Sequence, residues 1–180
     1  NNTKVIKARL FAQRESGGRV EIFVVRPTEK NRWTVLLNPQ KRVRENEVLT
    51  ISESFKVKIL HKDPEEGNCL VEFISDKDFF TQLDLHGNIP LPPYIKDYKA
   101  ADVNRFAERY QTIFAEEPGA VAAPTASLHF TPELMQRLVS KGVSSEKLTL
   151  HVGLGTFQPV KAEDINDHKM HSEWYNINRT

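Results

Sequence analysis

A chain of 180 residues with 39% hydrophobic residues can bury a core, either as one domain or as two small ones. The single cysteine excludes an internal disulfide framework, and no apolar run approaches the roughly 20 residues of a membrane helix, so we expect a cytoplasmic protein without a membrane partner. A net charge of +1 excludes a global field for nucleic acid, so RNA binding would depend on a local basic patch.

Residues 5–74 predict a series of short β-strands. Val20, Ile22 and Val24 form one face of a strand, and Ser16-Gly17-Gly18 before it predicts a turn, because glycine reaches positive φ without steric cost. Further predicted strands cover 32–37, 48–51, 55–60 and 69–74, with strict alternation of apolar and polar residues in 55–59. Short strands joined by turns predict a small antiparallel barrel or sandwich.

The pattern changes after Asp76. Residues 76–85 predict a short helix that ends at Gly87, and six of the ten prolines then fall between Pro90 and Pro132. Residues 89–95 predict a rigid connector, since proline fixes φ and removes a donor. Apolar side chains then recur at helical spacing and predict a helix that ends near Glu117; they are Val103, Phe106, Tyr110, Ile113 and Phe114.

The last third predicts mixed α and β structure. Thr131 is a plausible N-cap with Pro132 at the first helical position, so a helix is expected from there to Gly142. Residues 148–152 predict a buried strand. An all-β module up to about Gly87 is therefore followed by a mixed module.

Two segments rich in small residues are candidates for a ligand loop. Residues 119–126 are nearly free of large side chains, which would let a ligand approach the backbone N–H groups. A tightly packed turn over the core explains the same run equally well. Residues 150–157 place two glycines after a strand end, but a Gly-x-Gly without a third glycine is a weak nucleotide signal.

Several separated motifs occur in an order and spacing typical of one family. They are Asn2-Thr3-Lys4-Val5-Ile6, Pro90-Leu91-Pro92-Pro93-Tyr94-Ile95, Tyr110-Gln111-Thr112, residues 119–125, Leu128-His129-Phe130, Thr149-Leu150-His151-Val152-Gly153, Gly155-Thr156-Phe157 and His168-Lys169-Met170-His171. On these motifs the chain resembles the S-adenosylmethionine:tRNA ribosyltransferase-isomerase family. The resemblance implies an α+β fold in which a small antiparallel β-barrel is inserted in an α/β catalytic domain.

The resemblance also sets the expected domain organisation. It implies a catalytic domain that begins in residues 1–6, a barrel over 7–87, and the catalytic domain again over 88–180. Ser127 stands where the family usually has glycine, and Lys4 replaces a usual arginine, which keeps the charge but loses the planar fork. Because the family normally continues past Thr180, and the chain opens on Asn1 in strand-like sequence, we expect a fragment or a truncated relative.

The activity implied by the resemblance is the transfer and isomerisation of the ribose of S-adenosylmethionine onto 7-aminomethyl-7-deazaguanine at the wobble position of tRNA. Epoxyqueuosine forms, and adenine and methionine are released. The expected partners are a tRNA of the GUN anticodon type and S-adenosylmethionine as co-substrate, with no further cofactor and a monomeric protein. The alternatives are a truncated, non-catalytic tRNA-binding relative and an unrelated barrel that binds a ligand.

The catalytic candidates are His129 and His151. The reaction needs a base for a carbon-bound proton next to the sulfonium and an acid for the departing adenine. Histidine suits both tasks, because its unperturbed pKa lies near neutrality. A hydrogen-bonded core histidine is the alternative for each position.

The resemblance extends to a set of expected substrate contacts. They are Tyr94, Arg109, Tyr110, Gln111, Thr125, Phe130, Gly153, Gly155, Thr156, His168, His171 and Glu173. Tyr94 could stack on a base or pack the proline connector, and Arg109 could bind a phosphate or carboxylate or be an exposed helix residue. His168 and His171 could share a helical face, but nothing completes a ligand set around them, so we expect no metal.

One basic run predicts contact with RNA. Arg32, Lys41, Arg42 and Arg44, with Trp33 interleaved, suit phosphate contacts and base stacking from a small barrel. A solvated loop is the alternative, and Glu45 and Glu47 follow at once.

Overall fold

The computed structural model of the chain describes residues 1–91, 107–157, 162–168 and 170–177. Tyr94, most of the proline connector, Val103, Phe106 and Lys169 lie outside the described residues. The chain divides into two compact units, one made of Asn1–Val5 with Leu91–Thr180 and one made of Ile6–Pro90. We call these the split unit and the barrel unit; the predicted domain boundaries themselves stay a prediction.

The described residues contain ten strands and two α-helices of known extent. They are β1 (Thr3–Val5), β2 (Arg9–Gln13), β3 (Arg19–Glu29), β4 (Arg32–Asn38), β5 (Val48–Ser52), β6 (Phe55–Lys62), β7 (Cys69–Ser75), α1 (Phe79–His86), β8 (Glu117–Ala120), α2 (Pro132–Ser140), β9 (Thr149–His151) and β10 (Trp174–Asn176). No described helix is long and apolar enough to cross a membrane. This mixed content confirms the predicted α+β class.

The barrel unit is a closed antiparallel barrel with the strand order β2-β3-β4-β7-β6-β5. Every second side chain points into the core, which includes the fully buried Leu10, Val20, Ile22, Val35, Leu49, Phe55, Val57 and Val71. Gly17 has a φ of 85°, as the turn between β2 and β3 requires. The predicted strands and the barrel are thereby confirmed.

Helix α1 begins three residues later than the sequence predicts. The carboxylate of Asp78 accepts from the backbone N–H of Thr81 at 3.0 Å and caps the helix, so Phe79 is its first residue. The Phe79 ring stacks on Trp33 with the ring centroids 4.2 Å apart. The helix therefore adds its aromatic end to the core of the barrel unit.

The split unit holds two short sheets, in which β1 pairs with β8 in parallel and β9 with β10 antiparallel. The predicted end of the preceding helix near Glu117 is wrong, because the described helical residues end at Arg109 and Glu117–Ala120 is strand β8. Pro118 disfavours helical backbone at the residue before it, and pairing with β1 favours the strand. Helix α2 is confirmed: the Thr131 hydroxyl accepts from the Leu134 N–H at 3.2 Å, and Gly142 turns the chain with a φ of 76°.

A candidate active site around His151

The first three residues of the chain hold β9 in place within the split unit. The Asn1 side-chain amide donates to the Leu150 carbonyl at 2.9 Å and accepts from the Leu150 N–H at 3.0 Å. The Thr149 hydroxyl donates to the side-chain oxygen of Asn2 at 2.7 Å. Since β1 follows directly, these bonds bring Thr3 beside the last residue of β9.

That last residue is His151. Its Nδ1 lies 2.7 Å from the hydroxyl oxygen of Thr3, which is itself 1% exposed. Its ring stacks on Trp174, the residue opposite it across the β9–β10 pair, with the centroids 4.8 Å apart and the planes 18° apart. The imidazole is therefore held at one nitrogen and on its ring by two different strands.

Gly119 of β8 packs against the same imidazole. A Cβ at this position would lie 2.5 Å from Nε2 of His151 and 2.6 Å from Cε1. Because real Cβ atoms do not approach other atoms so closely, no larger side chain fits at this position unless the ring moves. The small residue at the start of the 119–126 run thus makes room for the histidine.

Burial lowers the pKa of His151 from its ordinary value of 6.5, and the nearby carboxylate of Glu117 opposes part of that effect. A lowered pKa keeps the imidazole neutral at neutral pH, which is the form that can accept a proton. If Nδ1 carries the proton and donates to Thr3, then Nε2 holds the free lone pair. Chemically, the arrangement can act as a general base.

The rest of the small-residue run is packed rather than open. Ala120, Val121, Ala122 and Ala123 are all buried, and the N–H groups of Val121 and Ala122 donate to the Val152 carbonyl at 3.0 and 3.4 Å. These two donors are therefore occupied within the fold. For this part of the run, the packed turn is the alternative that the structure favours.

Four of the predicted substrate residues form two contacting pairs in the segments that follow β9. The N–H of Gly153 donates to the Glu173 carboxylate at 2.9 Å. A Cβ on Gly155 would lie 2.5 Å from Cδ2 of His171, so the second glycine makes room for a second imidazole. Gly155 and Thr156 belong to the 3₁₀ turn Leu154–Phe157, and Thr156 is exposed.

The remaining predicted site residues in the described part of the chain have a variety of surroundings. The side-chain amide of Gln111 bonds both backbone groups of Val5, at 3.0 and 2.7 Å, which is a structural task. Tyr110 is buried, Arg109 is exposed, and His168 ends a 3₁₀ turn. Thr125 and His129 bound an exposed 3₁₀ turn, and Phe130 packs edge-on against Phe114. No group of three or more possible metal ligands occurs among the described residues.

Sequence reasoning missed Thr3 and Trp174 as parts of the site. Thr3 is separated from His151 by 148 positions, so no local spacing pointed to it. Trp174 follows the predicted contact Glu173 directly, and an aromatic residue beside a candidate contact was the one available signal.

The predicted RNA contacts all belong to the barrel unit, but their surroundings differ. Trp33 is corrected to a core residue, since it is 7% exposed and stacks on Phe79. Arg32 forms ion pairs with Glu29 at 2.8 Å and Glu72 at 3.8 Å. It begins β4, whereas Lys41, Arg42 and Arg44 follow the opposite end of that seven-residue strand and are exposed.

Comparison with known proteins gives a consistent set of matches. The family described as "Queuosine biosynthesis protein" matches residues 1–180. The chain is 46% identical to an S-adenosylmethionine:tRNA ribosyltransferase-isomerase of Sulfurihydrogenibium over 98% of this chain and 51% of the relative. Proteins of the same name from Trichlorobacter lovleyi and Finegoldia magna are 44% and 45% identical, over 98% and 99% of this chain and 51% and 50% of theirs.

The chain thus spans about half the length of the curated relatives that it matches. A crystal structure of an S-adenosylmethionine tRNA ribosyltransferase from Thermotoga maritima is 26% identical, with a TM-score of 0.39 over 84% of this chain and 39% of that one.

Proposed function

The chain belongs to the queuosine biosynthesis protein family, and from this we propose that it is part of a tRNA-modifying transferase-isomerase. The enzyme transfers and isomerises the ribose of S-adenosylmethionine onto 7-aminomethyl-7-deazaguanine at the wobble position of a tRNA with a GUN anticodon. The product is epoxyqueuosine, and adenine and methionine leave. The names of the relatives, at 44–46% identity, support this choice of reaction.

The observation that carries the proposal is the environment of His151. The proposed reaction needs a neutral base to remove a carbon-bound proton next to the sulfonium. His151 has a pKa lowered by burial, an Nδ1 bonded to Thr3 and a ring fixed on Trp174. We assign it the role of that base, with Nε2 as the accepting atom.

Substrate contacts are proposed for the residues that follow β9. Glu173 and His171 are both exposed and lie against Gly153 and Gly155. A carboxylate offers acceptors to a substrate N–H or O–H group, and an imidazole offers either a donor or an acceptor. These two side chains therefore hold and orient substrate beside the base.

Contact with the tRNA backbone is proposed for Lys41, Arg42 and Arg44, which we call the basic segment. The two carboxylates that follow it have partners: Glu47 holds Arg14 at 2.6 Å and the Arg44 N–H at 2.9 Å, and Glu45 holds His61 at 2.9 Å. The exposed side chains of the basic segment thus remain on the barrel surface, where they suit phosphate groups.

Adenine release tests the proposed activity. The 180-residue chain is incubated with S-adenosylmethionine and a tRNA that carries 7-aminomethyl-7-deazaguanine, and free adenine is measured by chromatography. The matched tRNA with guanine at the wobble position is the control and should release none. We expect His151→Ala to lower turnover at least about tenfold while folding survives.

Two outcomes would contradict this proposal. A chain that binds the modified tRNA but releases no adenine would be the non-catalytic relative instead. Unchanged turnover in His151→Ala, with adenine still released, would leave the activity standing but remove His151 as the base.

A further inference from the structure

The two tryptophans of the chain have opposite surroundings. Trp33 is 7% exposed in the aromatic core of the barrel unit, whereas Trp174 is 58% exposed in the split unit. Leaving most of an indole in water forfeits one of the largest hydrophobic contributions that a side chain can make. The ring of Trp174 is therefore open to contact with a ligand, whereas that of Trp33 is not.

The exposed indole is nevertheless fixed. Its backbone pairs with β9, opposite His151, and its ring stacks on the imidazole at a centroid distance of 4.8 Å and an angle of 18°. His151 is in turn held by Thr3 at 2.7 Å and by close packing against Gly119. A ring held in this way loses little conformational entropy when a ligand stacks on it.

The residue before Trp174 and the turn that it contacts are also exposed or uncrowded. Glu173, the preceding residue, is exposed, and its carboxylate oxygen Oε1 accepts a hydrogen bond from the Gly153 N–H. A Cβ at Gly153 would meet no atom closer than 3.8 Å, so the backbone there is uncrowded. An exposed and fixed aromatic ring suits stacking with a flat heterocycle.

We propose that Trp174 is a stacking platform for a nucleobase, namely the ring of a purine or a 7-deazapurine. This rests on the proposed function, which supplies two sources of such a ring: the adenine of S-adenosylmethionine and the modified base of the tRNA. The chemistry is the same for both, since every base presents a π-face to an indole.

Calorimetric titration of the 180-residue chain tests this with two probes. One is S-adenosylmethionine, and the other is an anticodon stem–loop RNA that carries 7-aminomethyl-7-deazaguanine. We expect Trp174→Leu to weaken the binding of one probe about tenfold or more, while Trp174→Phe retains much of it because a ring remains. The probe that responds identifies the source of the base.

Tyr175→Leu is the matched control. Tyr175 lies on the same strand, is 66% exposed, and points to the opposite side of the strand. Its substitution should leave both affinities within about twofold of the parent. Equal losses from Trp174→Leu and Tyr175→Leu would indicate damage to β10 and would overturn the proposal, as would a Trp174→Leu variant that binds both probes normally.

Fluorescence gives a measurement that does not depend on the folding of the leucine variant. A base stacked on Trp174 should quench emission from the unsubstituted chain, and the same probe should leave the emission of Trp174→Phe, which comes from Trp33, unchanged. If neither probe quenches Trp174, the platform does not exist. Adenine release without quenching would refute the platform alone, and quenching without adenine release would refute the proposed activity alone.

Discussion

At the scale of single residues, His151 has the environment most relevant to chemistry. Its imidazole contacts Thr3 of β1, Gly119 of β8 and Trp174 of β10. Each of these contacts favours one ring orientation, and burial favours the uncharged form. A base that is fixed in orientation and neutral before substrate binds needs little reorganisation during the reaction.

The stacked indole makes the protonation of His151 measurable. Because the pKa of His151 is lowered from 6.5, we expect Trp174 emission to be quenched by the protonated imidazolium only as the pH falls below that value. As the pH drops, His151 is protonated in the unfolded chain before it is protonated in the folded chain. The free energy of unfolding should therefore also fall as the pH drops from above 6.5 toward the folded pKa of His151.

The variant His151→Gln should show no fluorescence transition in this range. Emission in the parent chain would be followed from neutral to acidic pH, with denaturant unfolding at both ends of the range. A midpoint at or above 6.5 would contradict the lowered pKa.

At the scale of elements, the site depends on how closely the strands of the split unit approach. Strand β8 lies against His151 through Gly119, and the turn after β9 lies against His171 through Gly155. Neither glycine has a positive φ, so backbone strain does not account for the choice of residue. A larger residue is excluded at both positions because too little space separates the glycine backbone from the imidazole that faces it.

We therefore expect Gly119→Ala to destabilise the chain by about 1–3 kcal/mol, because the added methyl overlaps the imidazole. The matched variant is Gly153→Ala, where a Cβ would meet only Glu173 Oε1 at 3.8 Å. That substitution should change the free energy of unfolding by no more than about 0.5 kcal/mol. Urea titration measures the free energy of unfolding of both variants. Equal effects would show that overlap with His151 does not cause the loss of stability in Gly119→Ala.

At the scale of the whole molecule, charge is distributed unevenly although the sum is +1. The basic segment lies beyond the end of β4, near the end of β6, where the Lys62 ammonium donates to the carbonyls of Gln40 and Val43 at 3.1 and 2.8 Å. Arg32, at the start of β4, is paired with acidic residues. The proposed contact with RNA therefore depends on a local patch of positive charge rather than on a general field.

Replacing Lys41, Arg42 and Arg44 together by glutamine should weaken the binding of the modified tRNA and lower the slope of log K against log salt by about 2–3, since each lost phosphate contact removes released counterions. The matched control replaces Lys30, Lys56 and Lys77, three exposed lysines of the barrel unit. Lys30 and Lys56 lie at the opposite ends of β4 and β6 from the basic segment, and Lys77 follows β7. Filter binding at several salt concentrations measures the slopes, and equal slopes for the two triple variants would remove the basic segment as the RNA contact.

The sequence by itself determined the features that depend on near neighbours. Alternation along residues 55–59 indicated a strand of the barrel, and Thr131 with Pro132 indicated the start of α2, because side-chain period and capping act over a few residues. Tertiary structure alone decided the hydrogen bond between Thr3 and His151, which are 148 positions apart. It also decided the bonds of Gln111 to Val5, which form because the helical residues before Gln111 end at Arg109. It also separated Arg32 from the basic segment and left Trp174 exposed. These outcomes depend on which strands distant in the sequence become neighbours, and a local sequence pattern does not specify that pairing.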